Sequence, residues 1–131
     1  MSLTDVRPTY SDDVVLWEAD NARDEVTFKN NTGGTDSFPV GRTLVVSGAY
    51  LVPAPANDAD AVLLTAITDI ANNGTQNVAV IGSRGNCTLN IDRMTYGDGG
   101  TAFDAAAQLQ VDALAAAGCK MVQEPDVSSN G

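Results

Sequence analysis

Short apolar runs, separated by segments rich in turn-forming residues, occupy most of the chain. The segment 25–29 alternates polar and apolar side chains, as a strand with one buried face does. The other runs with the character of strands are 14–17, 43–46, 50–52, 61–67, 77–81, 87–91 and 120–122. The pattern therefore predicts a mainly β domain of the α+β class, with one helix near the end of the chain.

Turn-forming residues indicate how several of these strands connect. Ser47 and Gly48 interrupt two apolar runs, which predicts a hairpin or a bulged strand there. The segment 83–86 predicts a tight turn, and the runs on either side of it are expected to form an antiparallel pair. Segments 30–36 and 53–60 are expected to be loops, because turn-forming Asn, Gly or Pro residues recur in them.

The clearest single prediction is a short, alanine-rich helix near the C-terminus. Thr101 is placed to cap its first turn, and Asp104 completes a Thr-x-x-Asp variant of the capping box. Gly118 occupies the position at which a left-handed residue ends a helix. The face predicted to be apolar comprises Phe103, Ala106, Ala107, Leu114 and Ala117, and the opposite face comprises Asp104, Gln108 and Asp112. The small side chains would allow close packing against a sheet or a neighbouring subunit.

The chain of 131 residues is expected to form one domain, because its length suits one and is short for two. That domain is predicted over residues 14–125, and residues 14–122 contain no internal repeat or linker. Residues 1–13 are polar and lack periodicity, so they are expected to form an arm without structure of its own. Residues 126–131 are expected to form a mobile polar tail.

The composition removes several classes of function. The chain has no histidine, so it has neither a Ser-His-Asp nor a Cys-His catalytic system, nor a zinc site with histidine ligands. Its 7 basic and 17 acidic residues give a net charge of -10, which disfavours binding to phosphate backbones. The apolar runs are too short to span a membrane, and the first residues do not have the form of a signal peptide. We therefore expect no nucleic-acid or membrane partner, and synthesis in a cytosol.

The cysteines and the acidic residues are the remaining candidates for chemistry, and each has a plainer interpretation. Cys87 and Cys119 are too few for a four-thiolate zinc site. They could pair with each other, but two buried free thiols are the favoured interpretation in a reducing compartment. Carboxylates close in sequence, such as Glu18 and Asp20, are expected on so acidic a surface. A solvated surface is therefore favoured over a glycosidase-like pair of acids.

Two glycine-containing segments match ligand-binding loops only in part. Segment 92–100 has some features of a calcium loop, but it lacks the alternating Asp/Asn ladder and the distal bidentate Glu. A glycine-rich lead into the helix is the favoured interpretation. Segment 82–85 lacks the Gly-Lys-Ser/Thr of a phosphate loop, which favours a hairpin turn. The sequence thus predicts no catalytic, cofactor-binding or metal-ligating residue, and this favours a binding or structural role.

The order of several segments resembles one family. They are Arg-Asp-Glu-Val-Thr at 23–27, Gly-Arg-Thr-Leu at 41–44 followed by Ser-Gly-Ala-Tyr at 47–50, the apolar runs at 61–64 and 78–81, and Ala-Leu-Ala-Ala-Ala-Gly at 113–118 before a short apolar strand. In this order they are similar to the head decoration, or capsid cement, proteins of tailed bacteriophages, of the lambda protein D type. The resemblance covers about residues 14–122 and lies in order and spacing, not in one motif.

The resemblance implies a compact β-tulip fold with a short C-terminal helix, and a homotrimer on the outer face of the mature capsid. At three-fold and quasi-three-fold positions, such proteins cement neighbouring major capsid proteins against the internal pressure of DNA. The chain would be made in the host cytoplasm and reside on the virion surface, with no enzymatic activity and no cofactor. The alternatives are another virion accessory, such as a tail or fibre adaptor, and a small carboxylate-dependent hydrolase.

The resemblance also implies that the N-terminal arm becomes ordered on the shell, often by adding a strand to a capsid element. An arm without a fold of its own suits that role. For Trp17, near the base of the arm, a core position is the plainer interpretation and an interface anchor is the alternative. The capsid-binding residues expected from the resemblance are Leu3, Thr4, Val6, Arg7, Pro8, Tyr10 and Trp17.

Overall fold

The computed structural model of the protein describes residues 11–97 and 104–123. Its helices are α1 (Ser11–Val14) and α2 (Ala105–Ala116), and a 3-10 turn spans Ile91–Arg93. Its strands are β1 (Val15–Glu18), β2 (Arg23–Lys29), β3 (Asp36–Phe38), β4 (Thr43–Ser47), β5 (Tyr50–Pro53), β6 (Ala61–Leu63), β7 (Ile67–Ile70), β8 (Thr75–Ile81), β9 (Cys87–Asn90) and β10 (Lys120–Val122). The prediction of a mainly β domain with a short helix near the C-terminus is confirmed.

Five of the strands close into a barrel in the order β2, β5, β4, β6, β8. Neighbours are antiparallel except β2 and β5, which are parallel and meet where Phe28 lies beside Leu51. The predicted hairpin is confirmed, because β4 and β5 pair up to Ser47 and Tyr50. The barrel strands, together with the β3–β7 pair, contribute to one cluster, the barrel core. Its buried members are Phe28, Phe38, Leu44, Leu51, Ala61, Leu63, Ile67, Ile70, Val78 and Val80.

A second apolar cluster, the outer core, joins the barrel to α2 and to a three-stranded sheet of order β1, β9, β10. In that sheet β9 is antiparallel to β1 and parallel to β10. The buried members of the outer core are Val14, Ala22, Val40, Ala59, Val62, Leu64, Ile81, Cys87, Leu89, Ile91, Met94, Tyr96, Ala107, Val111, Leu114 and Cys119. The helix and the small sheet therefore belong to one hydrophobic unit with the barrel.

Strands β6 and β8 contribute to both cores, because successive side chains on a strand point to opposite faces. Leu63 and Val80 lie in the barrel core, and Val62 and Ile81 lie in the outer core. An apolar run of this kind is typical of a strand that is covered on both faces. This part of the barrel wall therefore forms the boundary between the two cores.

The expected single strand over 61–67 is wrong, because the chain divides there into β6 and β7. The amide of Leu64 still donates to the carbonyl of Ala79, at 2.9 Å. The amide of Ala79, on the partner strand β8, donates to the hydroxyl oxygen of Thr65 at 2.9 Å. A side-chain oxygen thus takes the place of a backbone carbonyl, and the continuing chain is freed to pair with β3.

The expected antiparallel pair formed by the runs 77–81 and 87–91 is also wrong. Strand β8 already has β2 on one side and β6 on the other, so it has no edge left for β9. The connection between β8 and β9 has positive φ at Gly82, Gly85 and Asn86, and it leads the chain out of the barrel and into the small sheet. Segment 82–85 is therefore a turn between sheets and not a hairpin turn.

The polar residue Gln110 connects α2 to the barrel, a role that no motif in the sequence predicts. Its side chain is fully buried, on the helix face that also buries Ala107 and Leu114. The Gln110 Oε1 atom accepts hydrogen bonds from the Thr43 hydroxyl at 2.6 Å and from the Gly97 amide at 2.9 Å. Its Nε2 atom donates to the Ala106 carbonyl at 3.2 Å. Because burial makes unpaired polar atoms costly, these bonds fix how the helix sits on β4.

Replacing Gln110 with methionine should lower the free energy of unfolding by about 2–3 kcal/mol, because the Thr43 hydroxyl and the Gly97 amide lose their acceptor. Methionine has a similar volume, so the variant tests the hydrogen bonds and not the packing. Urea denaturation measures the change. The matched control is Gln108→Met on the same helix, because Gln108 is exposed and should tolerate the change within about 0.5 kcal/mol. Equal losses for the two variants would contradict the assigned role of Gln110.

The beginning of α2 differs from the expectation, and its end confirms it. The helix begins after Asp104, whose extended backbone makes it the N-cap residue in place of Thr101. Gly118 has a φ of 110°. The amide of Cys119 donates to the Leu114 carbonyl at 3.2 Å, and that of Gly118 to the Ala115 carbonyl at 3.0 Å. These two bonds form a Schellman motif, which requires left-handed backbone at Gly118.

Other parts of the helix prediction have mixed outcomes. Ala107 and Leu114 are buried as expected, whereas Ala117 is exposed at the end of the helix. Val111 and Gln110 complete the buried face. Ala106 is half-buried, and the predicted polar face is confirmed because Asp104, Gln108 and Asp112 are exposed. Thr101 and Phe103 lie outside the described residues.

Replacing Gly118 with alanine should lower the free energy of unfolding by about 1 kcal/mol, because alanine resists left-handed backbone. The space itself is adequate, since an added Cβ would lie 3.5 Å from the Gly85 Cα atom. Gly34→Ala is the control, because Gly34 lacks positive φ and an added Cβ there meets nothing within 4 Å. Thermal and urea unfolding of both variants distinguish backbone strain from a general intolerance of alanine.

Candidate functional site

The strand that follows the predicted arm is the candidate site, and its exposure is unusual. Leu16 and Trp17 are adjacent in β1 and are 48% and 57% exposed. A regular strand would turn one of two adjacent side chains inward. The register of β1 against β9 shifts between Val15 and Trp17, as at a β-bulge, and this irregularity accompanies the exposure of both side chains. The core interpretation of Trp17 is therefore wrong, and the residue lies on the surface.

In the described part of the chain, β1 has a strand neighbour on one side only, because the sheet order is β1, β9, β10. The backbone groups on the other side of an edge strand can pair with an added strand. Two large apolar side chains thus accompany a sheet edge at the same place. We call this combination, the outer edge of β1 with Leu16 and Trp17, the β1 edge.

The β1 edge is held firmly on the body of the protein. At its N-terminal end, Val14 is fully buried in the outer core. At its C-terminal end, the two carboxylate oxygens of Glu18 accept hydrogen bonds from Arg23, both at 2.7 Å. The amide of Ala19 donates to the Asn86 carbonyl at 3.0 Å, just before β9. The edge is therefore a preformed platform and not a loose segment.

Ion pairs cluster where β1 leads into β2. The hydrogen bonds from Arg23 hold the pKa of Glu18 below its usual value, although partial burial opposes this. Asp24 accepts a hydrogen bond from the Ser83 hydroxyl at 2.7 Å and pairs with Arg84 at 2.7 Å, and these bonds lower its pKa. Both carboxylates are thus stabilised as anions, whereas a general acid needs a raised pKa. This arrangement suits surface ion pairs better than glycosidase chemistry.

Other exposed apolar side chains lie elsewhere on the surface. Val46 and Tyr50 flank the turn of the β4–β5 hairpin, and Leu109 lies on α2. The ammonium of Lys29 lies 5.3 Å from the centre of the Tyr50 ring, so that ring is already engaged by a cation. Of these places, only the β1 edge is directly continuous with the segment predicted to be the arm.

The predicted arm lies mostly beyond what the structure describes. Leu3, Thr4, Val6, Arg7, Pro8 and Tyr10 are outside the described residues. Residues 11–13, expected within an unstructured arm, lie in α1, whose last residue is anchored in the outer core. The predicted arm therefore does not include residues 11–13, which belong to the body of the protein. The predicted tail, 126–131, also lies outside the described residues.

The sequence does not predict the exposure of Leu16, because the run 14–17 is uniformly apolar. Such a run does not reveal which of its side chains face the core. The deciding feature is the register shift, which depends on pairing with residues far away in sequence. The nearest signal in the sequence is the position of Trp17 immediately after a polar segment.

Comparisons of the chain with protein-family models, with curated proteins and with solved structures gave no match. Among the residues that the structure describes, no group of three or more Cys, Asp or Glu residues is arranged to hold a metal ion. Within the same residues, neither helix has the length and apolar character needed to cross a membrane.

The single tryptophan makes the exposure of the β1 edge measurable. Fluorescence of Trp17 in the folded protein should be strongly quenched by acrylamide, because more than half of the side chain is accessible. Trp17→Ser should lower the free energy of unfolding by about 1 kcal/mol or less. Leu89→Ala, in the neighbouring strand, should cost about 2–5 kcal/mol because Leu89 is fully buried. A shielded Trp17, or a large loss on replacing it, would contradict the placement.

Proposed function

We propose that the protein is a structural head decoration protein of a tailed bacteriophage. In this proposal a homotrimer binds the outer face of the mature capsid at three-fold and quasi-three-fold sites. There it cements major capsid proteins against the pressure of the packaged DNA. The fold is proposed to be a variant of the β-tulip, with the five-stranded barrel as its body. The protein would be made in the host cytoplasm and reside on the virion surface without enzymatic activity.

The single observation that carries the proposal is the β1 edge, together with its position directly after the predicted arm. An arm that orders on a partner gains backbone hydrogen bonds when it extends or joins a sheet edge. The exposed Trp17 and Leu16 supply an apolar contact beside those bonds. Tryptophan is among the residues that contribute most to binding where they become fully desolvated.

The expected binding energy of one arm is small, and trimerisation offsets this. Ordering an arm costs ~1–2 kcal/mol for each residue fixed, which consumes much of what its contacts provide. Three arms on one body bind at a high effective concentration, so weak single contacts add up to a tight attachment. The proposed contacts to the major capsid protein come from Leu3, Thr4, Val6, Arg7, Pro8 and Tyr10, with Trp17 at the base.

The net charge of -10 is compatible with this arrangement. Acidic surfaces on neighbouring particles repel one another, which keeps a crowded suspension of virions soluble. An acidic surface also repels the phosphate backbone of nucleic acid. Both consequences suit a protein whose free surface faces outward from the shell.

Removing residues 1–10 should leave a folded trimer that no longer sediments with undecorated capsids of the phage that encodes it. This truncation retains α1 and the buried Val14, so the body keeps its outer core. Light scattering and circular dichroism establish the trimer and the fold, and co-sedimentation measures binding. A matched control removes residues 126–131 at the other end of the chain and should bind as the full chain does.

The outcomes of this experiment separate the parts of the proposal. Normal capsid binding by the truncated chain would refute the role of the arm. Failure of the full-length chain to bind any form of the capsid would refute the decoration function. Electron microscopy of virions distinguishes the head lattice from the tail, and density at the tail would favour an adaptor instead. A loss of binding in Trp17→Ser with an intact arm would support the β1 edge as part of the contact.

A further inference from the structure

Two buried thiols face each other between neighbouring strands of the small sheet. The Sγ atoms of Cys87 and Cys119 are 3.6 Å apart, and both cysteines are free. Only 1% of Cys87 and 5% of Cys119 is exposed. Nothing in the proposed function uses this pair.

The strand register brings the two cysteines side by side. Lys120 of β10 lies beside Thr88 of β9, and the parallel pairing continues in register to Val122 and Asn90. One residue earlier, the same register aligns Cys119 with Cys87. Adjacent strands lie about 4.7–4.9 Å apart, which is within the separation of about 4.4–6.8 Å that a disulfide needs between Cα atoms.

We propose that Cys87 and Cys119 are a redox-sensitive pair that forms an intramolecular disulfide when the protein meets a disulfide oxidant such as oxidised glutathione. The bond would join the end of α2 to the central strand of the small sheet. It would form without rearrangement of the fold, since the strands already hold both residues in register.

The exchange proceeds in two balanced steps. The Cys119 thiolate attacks one sulfur of oxidised glutathione, which forms a mixed disulfide and releases one glutathione thiolate. The Cys87 sulfur, after losing its proton to solvent, attacks Cys119 and releases the second glutathione. Two thiols are oxidised to one disulfide, and one oxidised glutathione is reduced to two molecules of glutathione.

The surroundings of the two thiols assign their roles. Cys87 donates a hydrogen bond to Cys119, which in turn donates to the Gly82 carbonyl at 3.4 Å. The bond from Cys87 lowers the pKa of Cys119, against the opposing effect of burial, and the same bond raises the pKa of Cys87. Cys119 also directly precedes β10, a strand of three residues at an edge of the sheet. Short edge segments open more readily than central strands, so Cys119 is the thiol that an oxidant reaches first.

The disulfide would close a loop of chain that contains the 3-10 turn and α2. In the chain-entropy description, a cross-link between residues 32 apart stabilises the folded state by constraining the unfolded one. Because folding and disulfide formation are linked equilibria, the same free energy makes oxidation more favourable in the folded protein than in the unfolded chain. The folded protein should therefore form the bond more favourably than the unfolded chain by roughly 10²–10³-fold.

The test uses the reduced, full-length protein without any capsid, so its outcome is separate from that of capsid binding. The protein is equilibrated with defined ratios of reduced and oxidised glutathione, in native buffer and in concentrated urea. Intact mass and maleimide labelling after acid quenching report the disulfide. We expect loss of both thiols with no glutathione retained, no intermolecular cross-link and a higher melting temperature for the oxidised protein.

Two single variants test the assigned order of reaction. Cys87→Ser should accumulate the adduct of one glutathione on Cys119, because the resolving thiol is missing. Cys119→Ser should react more slowly, because Cys87 lies on the central strand β9. If either variant fails to fold, the comparison of native and unfolded wild-type protein still decides the proposal. Disulfide formation no more favourable in the native protein than in urea, or only between molecules, would overturn it.

Discussion

The rest of the structure depends on a stretch of barrel wall that is apolar on both faces. Strands β6 and β8 direct Leu63 and Val80 inward, and they direct Val62 and Ile81 outward. The inward side chains are covered by closure of the barrel. The outward ones would contact water unless another layer covered them, and α2 with the small sheet supplies that layer. At about 25 cal/mol per Å² of apolar surface, leaving such a face uncovered would be expensive for a domain of this size. The helix and the strands β1, β9 and β10 are therefore required by the barrel and are not independent additions.

Hydrophobic cover alone does not fix where a small-residue helix sits, since alanine side chains give few specific contacts. The orientation of α2 comes from a polar connection inside the apolar layer. Gln110 accepts hydrogen bonds from Thr43 of β4 and from the amide of Gly97, so helix, barrel and incoming loop meet at one oxygen atom. Each of these partners is buried or partly buried, which makes any other placement of the helix costly. The Schellman motif at Gly118 then directs the chain into β10 beside β9.

Local signals in the sequence predicted local features, and they failed where pairing was decided by distant residues. The β4–β5 hairpin and the end of α2 follow from residues adjacent to them, namely Gly48 and Gly118, and both predictions are confirmed. The pairing of β9 could not be predicted in this way. It depends on β8 being already occupied on both edges, which is a property of the closed barrel. The division between β6 and β7 depends on the Thr65 hydroxyl binding an amide of another strand. The candidate site follows the same rule, since the position of Trp17 after a polar segment is visible in the sequence but the register shift that exposes Leu16 is not.

The β1 edge is also the place where the requirements of folding and of recognition can be met together. Val14 and Val15, at its start, pack in or against the outer core, while Leu16 and Trp17 are left to solvent. One short segment thus anchors itself with its first two side chains and leaves the next two exposed for the proposed contact. Where β1 leads into β2, Arg23 and Arg84 pair with Glu18 and Asp24, while the nearby Asp20 is exposed. On a chain with a net charge of -10, these two ion pairs reduce the repulsion that their carboxylates would exert on another acidic surface. The ion pairs therefore lessen the charge at this edge without removing it, and a contact made there would be stabilised by the apolar side chains Leu16 and Trp17.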